Sequence, residues 1–534
     1  MNTIRRDILT MFLGIPAALA ACTRPEHPAL PDGEIVGAAM DVGHRLRQAA
    51  NVEIPADKWI RKDIVIVGGG IAGLTAAWRL RQRGVRDFSL FELEREPGGT
   101  SRSGKSAVTA YPWGAHYVPV PLPENRALLS LLEEVSVIEG YDEQGAPVIA
   151  EQHLCQDPEE RVFYRGRWYE GLYMRAGASR DDLAQLERFH KEVDRWVVWR
   201  DAKGRRAFTL PVAQCSTDAE AMALDRLSMA AWLDARGFTS PRLRWYVEYG
   251  CRDDYGLNLE QTSAWAALFY FAARMRAPGE QTQPFITWPE GNGRLVAHLA
   301  NAAREHIRAG FAVSELIPRD NGVDVIAISH DGREALGIHA RRVIFAAPQF
   351  IARYVIRPWR EDPPPHLADF RYSTWMVANL HLRERPAGRG FPLSWDNVLY
   401  ESPALGYVHA RHQQDNGRGP TVITWYYPML ETGGQPARQR LQALSREQCA
   451  DIALTDLQRA HPDIRELSAR LDVMKWGHAM IAPRVGFIGG QARRQATRPY
   501  RGIHFAHSDL SGMALFEEAF YQGMRGADEM KSEE

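Results

Sequence analysis

The chain has 534 residues, of which 45% are hydrophobic and 25% charged, a composition typical of a globular protein. Its length exceeds what one compact core usually supports, so we expect two domains. The formal net charge of -1 provides no basic field for a nucleic acid or an anionic lipid surface, and neither is expected as a partner. The five cysteines form no CxxC pair and predict neither a zinc site nor a disulfide framework: Cys22, Cys155, Cys215, Cys251 and Cys449.

Residues 1–22 are predicted to be an export signal. Arg5 and Arg6 precede an apolar stretch that is too short to remain as a membrane-spanning helix. The run Leu19-Ala-Ala-Cys22 resembles the lipobox of bacterial lipoproteins, which implies a lipid anchor on Cys22. The arginine pair resembles a Tat signal, with an ordinary Sec signal as the alternative. We therefore expect an exported protein on the periplasmic side of a bacterial membrane, attached through its lipid only and followed by a tether over residues 23–59.

A βαβ unit is predicted directly after the tether. A β-branched run at 63–67 is followed by helical spacing over 71–83 and by a second strand over 88–91. The turn between the first strand and the helix reads Gly68-Gly-Gly70-Ile71-Ala72-Gly73, which is a G-x-G-x-x-G pattern. Glu92 stands nineteen residues after Gly73, where an acidic side chain can accept hydrogen bonds from a ribose. These features predict a dinucleotide site at the N-terminus of the helix.

The remaining α/β segments predict that this nucleotide domain is discontinuous. We assign residues 60–124, 285–350 and 471–530 to it, and residues 125–284 and 351–470 to a substrate domain whose first part is helical and whose second part is rich in strands. The predicted fold class is therefore α/β, with a discontinuous Rossmann-like domain and an inserted α+β substrate domain.

Four stretches decide which dinucleotide is bound. They are Glu92 to Gly99, Tyr111 to Val118, Pro289 to Leu295 followed by Val313, and Gly502 to Ala527. Together they resemble the flavin amine oxidase family, which includes protoporphyrinogen oxidases and resembles phytoene and other carotenoid desaturases. The resemblance implies that the cofactor is FAD.

The same resemblance assigns cofactor contacts residue by residue. The ADP half of FAD would contact Gly68, Gly70, Ile71, Ala72, Gly73 and Glu92, with the Val313 backbone at the adenine. The diphosphate turn would contain Gly99 and Thr100, with Arg102 as an alternative to the arginine that the family often has in place of Thr100. The flavin would lie beside Gly114, Ala115, His116 and Tyr117, with Asp509 as the acidic contact and Phe516 at the start of the last helix. The dipole of that helix would stabilise negative charge on the reduced flavin.

The sequence also departs from the family pattern. His507 replaces a glycine of the closing motif, Glu517 and Glu518 begin the last helix, and the strand predicted at 373–380 lacks the lysine that many amine oxidases hold near flavin N5. Lys475 and Trp476 are neighbours on a later strand, so one of the two should face away from the site. The candidate catalytic residues are His116, Trp476, His478 and Phe516. We expect no metal site, although His504, His507 and Asp509 are close in sequence.

The leading functional hypothesis is an FAD-dependent oxidoreductase that takes hydride from a small amine, including a polyamine, and is reoxidised by O₂ or another acceptor. The alternatives are a desaturase-like or porphyrinogen-oxidase-like enzyme with an apolar substrate, and a non-catalytic FAD-binding envelope protein. Carboxylates such as Asp253 and Glu517 at the flavin would favour a cationic amine, whereas a long apolar tunnel would favour a lipid. The substrate, the electron acceptor and the oligomeric state stay open at this point.

Overall fold

A computed structural model describes residues 30–48, 52–279, 284–414, 417–430 and 434–530. The predicted signal, with Arg5, Arg6 and Cys22, lies outside these residues. The strands are β1 Trp59–Val67, β2 Phe88–Glu92, β3 Ser103–Lys105, β4 Ala110–Pro112, β5 Tyr117–Pro119, β6 Ile138–Tyr141, β7 Pro147–Ile149, β8 Glu160–Tyr164, β9 Arg167–Glu170, β10 Phe285–Thr287, β11 Ile307–Ala309, β12 Phe311–Arg319, β13 Gly322–Ser329, β14 Ala335–Phe345, β15 Tyr372–Leu382, β16 Asp396–Leu399, β17 Gly406–His409, β18 Thr421–Pro428, β19 Ser468–Ile481 and β20 Ile503–Phe505.

The α-helices complete the inventory of regular structure. They are α1 Met40–Arg45, α2 Ile71–Gln82, α3 Arg126–Glu134, α4 Arg180–Val198, α5 Ala219–Ala223, α6 Met229–Ala235, α7 Pro241–Tyr255, α8 Ala264–Ala272, α9 Gly293–Ala302, α10 Gln349–Val355, α11 Pro358–Glu361, α12 Gly434–Ala443, α13 Arg446–Leu457, α14 Ile464–Leu467, α15 Gln491–Ala496 and α16 Phe516–Asp528. Within the described ranges, no helix is both long and apolar enough to cross a membrane.

A seven-stranded sheet forms the nucleotide domain. Its order is β11-β2-β1-β14-β13-β12, and β20 pairs with β14. The pairs of β1 with β2 and with β14 are parallel, as a βαβ crossover requires, whereas β12, β13 and β14 form an antiparallel meander. The last four residues of β1 are buried on both faces, which explains why this strand reads as a continuous apolar run. The α/β fold class predicted from the sequence is confirmed.

A second seven-stranded sheet forms the substrate domain, in the order β19-β15-β18-β17-β16-β8-β9. Two assignments made from the sequence change here. The stretch 471–481 belongs to this sheet and not to the nucleotide domain, because β19 pairs along β15. The insertion 125–284 is not only helical, since it supplies β8 and β9 to the sheet, while its helices α4, α6, α7 and α8 share an aromatic-rich core.

Residues 30–48, which were predicted as part of a tether, are docked on the body of the protein. We call them the N-terminal strap. Asp32 forms a parallel β-bridge with Arg470, and Ile35 forms one with Val473. The tether prediction is therefore wrong over these residues, because backbone pairing with β19 needs no apolar periodicity and leaves no signal in the sequence pattern.

Candidate active site

A cavity of about 420 Å³ lies between the nucleotide sheet, the strap and β19. It is lined by most of the residues predicted to bind FAD: Gly68, Gly70, Ile71, Ala72, Glu92, Gly99, Thr100, Arg102, Ala115, Val313, Asp509 and Phe516. Gly73 does not line the cavity. Two predicted catalytic residues, Trp476 and His478, also face it.

The three glycines of the fingerprint serve different physical purposes. Gly68 has a φ of +100°, which an L side chain rarely adopts, and a Cβ there would lie 3.1 Å from the carbonyl oxygen of Ala346. A Cβ on Gly73 would stand 1.8 Å from the Gly68 carbonyl oxygen, so this glycine is needed for close packing of α2 on the turn. A Cβ on Gly70 would meet nothing within 4 Å and would project into open space at the start of α2. That open cradle, at an uncapped helix N-terminus, fits a diphosphate.

Glu92 is held firmly at the end of β2. Its carboxylate accepts hydrogen bonds from the backbone N–H groups of Gly69 (2.5 Å) and Glu94 (2.8 Å), and burial raises the pKa of the carboxyl group. Hydrogen bonds from two backbone donors fix the orientation of this side chain at the cavity wall. Glu92 thus lines the cavity in a fixed orientation, and its contact with ribose hydroxyls stays a prediction.

The diphosphate turn is packed against the segment that was predicted to run beside the flavin. A Cβ on Gly114 would lie 2.3 Å from the Thr100 carbonyl oxygen, and Ala115 donates its N–H to that oxygen at 3.0 Å. Arg102 lies 3.4 Å from Glu94 and stacks over the ring of Trp476 at 5.7 Å. Its Nε atom is buried and has no hydrogen-bond partner among the described residues. A buried donor without a partner in this cavity is consistent with a bound anionic group.

Asp509 is buried in the same wall. One carboxylate oxygen accepts hydrogen bonds from the Gln349 N–H (2.8 Å) and the Tyr372 hydroxyl (2.5 Å), and the other lies 3.1 Å from Nδ1 of His507. Burial alone would raise the pKa of this carboxyl group, but the nearby His507 and the hydrogen bonds lower it, so the carboxylate stays charged. The residue that replaces the family glycine therefore supports the acidic contact.

A second, smaller cavity of about 140 Å³ adjoins the first. It is lined by Gly114 and by two of the predicted flavin neighbours, His116 and Tyr117. The two cavities share several residues along their boundary: Thr100, Ala115, Trp476, Ala479, Ala514, Leu515 and Phe516. A ligand at this boundary can be reached from the smaller cavity, which opposes the idea of a cofactor with a purely structural role.

The helix α16 begins at this boundary. Its first residue, Phe516, packs on Phe520, and no side chain caps the helix at Leu515. The free N–H groups of the first turn therefore carry partial positive charge beside the shared wall. Close packing of α16 on α2 sets this position, because a Cβ on Gly523 would lie 2.3 Å from the Ala72 carbonyl oxygen.

Carboxyl groups gather in the smaller cavity. Asp253, Asp254, Asp396 and Glu517 line it together with one guanidinium, Arg274. Asp254 pairs with Arg274 at 3.5 Å, and both side chains are almost fully buried. Burial raises the pKa of Asp396 to about 7 and raises the pKa of Asp253 well above its ordinary value. Burial favours the uncharged form of these carboxyl groups, and a cation bound beside them would favour their ionisation.

Aromatic rings form the other walls of this cavity. Tyr426 stacks on His116 with 5.0 Å between the ring centroids and donates its hydroxyl to the Gly114 carbonyl oxygen at 2.9 Å. Tyr249 donates its hydroxyl to Asp396 at 3.0 Å. No local pattern in the sequence indicates Asp396 or Arg274, because each reaches the cavity from an insertion that the resemblance hardly covers.

Both candidate histidines are neutral at physiological pH. Burial lowers the pKa of His116 to about 4 and that of His478 to about 3, where Arg438 and Arg47 add to the effect. An unperturbed histidine titrates near neutrality, and desolvation at these two positions disfavours the imidazolium form. His478 stacks on Phe350 with 3.9 Å between centroids. Both rings act as walls and hydrogen-bonding groups in their neutral form.

The neighbours Lys475 and Trp476 have different environments. The ammonium of Lys475 donates to the carbonyl oxygens of Gln442 and Leu444 at the C-terminal end of α12, although Lys475 also lines the first cavity. The indole of Trp476 donates to the Trp113 carbonyl oxygen at 2.7 Å and lines both cavities. No cluster of potential metal ligands occurs in the described part of the chain, and the ring of His504 bonds to Glu529.

Comparisons with known proteins agree with this geometry. A family model described as flavin containing amine oxidoreductase matches residues 71–531. A search of curated protein sequences found no match. Among solved structures, putrescine oxidase bound to putrescine is similar with a TM-score of 0.63 at 18% identity, covering 88% of this chain and 99% of that one.

Two further structures are similar over comparable lengths. Cyclohexylamine oxidase from Brevibacterium oxydans IH-35A has a TM-score of 0.61 at 16% identity, covering 88% of this chain and 98% of that one. A CLA-producing fatty acid isomerase from P. acnes has a TM-score of 0.60 at 14% identity, covering 89% and 98%. At these identities the likeness concerns the fold.

Proposed function

Because the chain belongs to the flavin-containing amine oxidoreductase family and is an FAD-dependent oxidoreductase, we propose that it oxidises a small cationic amine in the carboxylate-lined cavity. The observation that carries this proposal is the placement of Asp253, Asp396 and Glu517 in a cavity that shares Trp476 and Phe516 with the cofactor cavity. Burying several carboxyl groups costs free energy, and a bound ammonium group offsets that cost.

FAD, when bound, supplies the acceptor for a hydride from the substrate C–H bond next to nitrogen. The residues of this chain handle charge and orientation. Carboxyl groups with raised pKa values can take a proton from the ammonium group, which leaves the neutral amine that hydride loss requires. Neutral His116 and the ring of Tyr426 form an uncharged wall that orients the carbon chain, and α16 directs its positive end towards the flavin edge.

The test is anaerobic mixing of FAD-loaded protein with monoamines, diamines, polyamines and amino acids, followed through the loss of flavin absorbance. We expect amines to reduce the flavin, and Asp253→Asn and Asp396→Asn to raise the amine concentration that gives half the maximal rate by about tenfold or more. Asp57→Asn, a substitution at an exposed aspartate that lines neither cavity, is the matched control. If no amine of the panel reduces the flavin, the proposal fails.

A second candidate function is the oxidation of an apolar substrate. It is favoured by the aromatic walls of the cavity and by the hydrogen bond that Lys475 donates to the Leu444 carbonyl oxygen, which holds this ammonium group in a structural contact. Porphyrinogens, isoprenoids and unsaturated fatty acids belong in the same panel for this reason. Flavin reduction by one of these compounds, with unchanged rates in Asp253→Asn, would favour this function over amine oxidation. Oxygen and quinones, supplied separately to the reduced protein, would identify the acceptor.

We also propose that the protein is an exported lipoprotein anchored through Cys22, on the strength of Arg5, Arg6 and the lipobox-like run. Cys22→Ser should move the protein from the membrane fraction to the periplasmic fraction. Arg5→Lys with Arg6→Lys should block export if the Tat route is used and leave it unchanged if the Sec route is used.

A further inference from the structure

The N-terminal strap is joined to β19 by backbone hydrogen bonds. Leu471 donates to the Asp32 carbonyl oxygen (2.7 Å), Val473 donates to that of Glu34 (2.9 Å), and Val36 donates to that of Val473 (2.8 Å). The side chain of Arg470 adds an ion pair with Glu34 at 2.7 Å. The strap therefore extends the substrate sheet at the edge formed by β19, which is the strand that carries Trp476.

From this edge the strap crosses the cofactor cavity. The N–H of Ala39 donates to the carboxylate of Glu94 at 2.8 Å, two residues beyond Glu92. Strap residues then line the cavity opposite the fingerprint: Ala38, Ala39, Met40, Gly43, His44, Leu46 and Arg47. Leu46 packs against the apolar cluster that contains Val313, the predicted adenine contact. The strap thus covers the part of the cavity where the ADP half of FAD is expected.

The strap also brings positive charge to the cavity. His44 and Arg47 line it together with Arg438 from α12. Burial and then the charges of Arg47 and Arg371 lower the pKa of Arg438, which shows that these cations repel one another. No carboxylate in the described parts of the chain lies within ion-pair distance of Arg47 or Arg438. Although Glu92, Glu94 and Asp509 line the same cavity, the two guanidinium groups without an ion-pair partner among the described residues favour the binding of an anion beside them.

We propose that the strap is a part of the FAD site: it closes over the ADP half, places His44 and Arg47 towards the diphosphate, and must undock before FAD can enter or leave. The family match begins at residue 71, so the strap lies outside the segment that defines the family. In this protein, retention of FAD depends on a segment that precedes the nucleotide fold.

The experiment measures FAD release from full-length holoprotein by the rise of free flavin fluorescence, together with hydrogen exchange of residues 30–48. Gly33→Ala is the first variant, because its φ is +150° and a Cβ would lie 1.8 Å from the Leu471 carbonyl oxygen. A chain with a Gly-Ser sequence of equal length in place of residues 30–48 is the second variant, which removes every strap contact. Gly140→Ala is the matched control, because its Cβ would meet nothing within 4 Å.

We expect both strap variants to release FAD at least about tenfold faster than wild type, since the loss of two or three backbone hydrogen bonds favours the open state by this factor or more. Removal of FAD from the wild type should also increase exchange in residues 30–48, and Arg47→Ala should weaken FAD binding without undocking the strap. FAD release from the Gly-Ser variant at the wild-type rate would overturn the proposal. That outcome is independent of whether any amine reduces the flavin.

Discussion

Two glycine substitutions in the dinucleotide turn should affect different properties. Gly70→Ala should weaken FAD binding, whereas Gly73→Ala should destabilise the apoprotein. In Gly70→Ala the new methyl group enters open space, and the φ of -71° suits alanine, so the free energy of unfolding of the apoprotein should change by no more than about 0.5 kcal/mol. In Gly73→Ala the new Cβ would lie 1.8 Å from the Gly68 carbonyl oxygen, whereas Cβ atoms in proteins essentially never come closer than 3.0 Å to another atom. Displacing α2 by roughly 1 Å should destabilise the apoprotein by about 1–3 kcal/mol.

The two effects separate in paired assays of urea unfolding of the apoprotein and FAD titration by fluorescence quenching. Gly70→Ala should keep the unfolding midpoint and bind FAD at least about tenfold more weakly, because its methyl group occupies the diphosphate cradle. Gly73→Ala should lower the midpoint, and Gly140→Ala should change neither quantity. The reasoning is refuted if Gly70→Ala binds FAD as tightly as wild type, or if it destabilises the apoprotein as much as Gly73→Ala does.

Three further predictions concern charge and hydrogen bonding. Because burial raises the pKa of Asp396 to about 7, its ionised fraction grows as pH rises through 7, so kcat/KM for an amine should rise across that pH range and Asp396→Asn should remove the inflection, as pH-rate profiles would show. Trp476→Phe leaves the Trp113 carbonyl oxygen without its donor and should lower the free energy of unfolding by about 1 kcal/mol and shift the flavin absorption spectrum. Glu315→Gln breaks the ion pairs of a buried carboxylate with Arg360 and with the half-exposed Arg357, and it should cost about 2 kcal/mol in urea unfolding; an unchanged midpoint would contradict this.

The parts of the fold that could be predicted from the sequence are those with contiguous signals. The first strand, turn and helix lie next to one another in the chain, so Gly68 to Gly73 and Glu92 together indicate a dinucleotide site without knowledge of the rest. The FAD cofactor and the family followed from motifs in these same segments and are confirmed by the family match over residues 71–531. The individual site residues stay predictions, although the structure brings nearly all of them to one cavity.

Elements that depend on long-range pairing were assigned incorrectly. The strand β19 was placed in the nucleotide domain because it directly precedes the closing motif, yet its hydrogen bonds run to β15, about a hundred residues away in the chain. The composition of the segment after Cys22, rich in Pro, Ala and Asp, predicts a tether, whereas the docking of the strap uses backbone groups and Gly33. In both cases the partner strand decides the structure, and a local pattern contains no information about it.

The difference between contiguous signals and long-range packing explains why the cofactor could be predicted from the sequence more readily than the substrate. The cofactor contacts come from turns and helix termini whose backbone geometry requires glycine, and such requirements leave fixed spacings in the sequence. The substrate cavity is built from side chains on separate elements: Asp253 on α7, Asp396 on β16 and Glu517 on α16. Asp253 and Glu517 could be noticed in the sequence, Glu517 because it sits in the first turn of a recognisable helix, whereas no local pattern indicates Asp396. The three carboxyl groups acquire their shared environment from tertiary packing, and burial in that packing raises their pKa values.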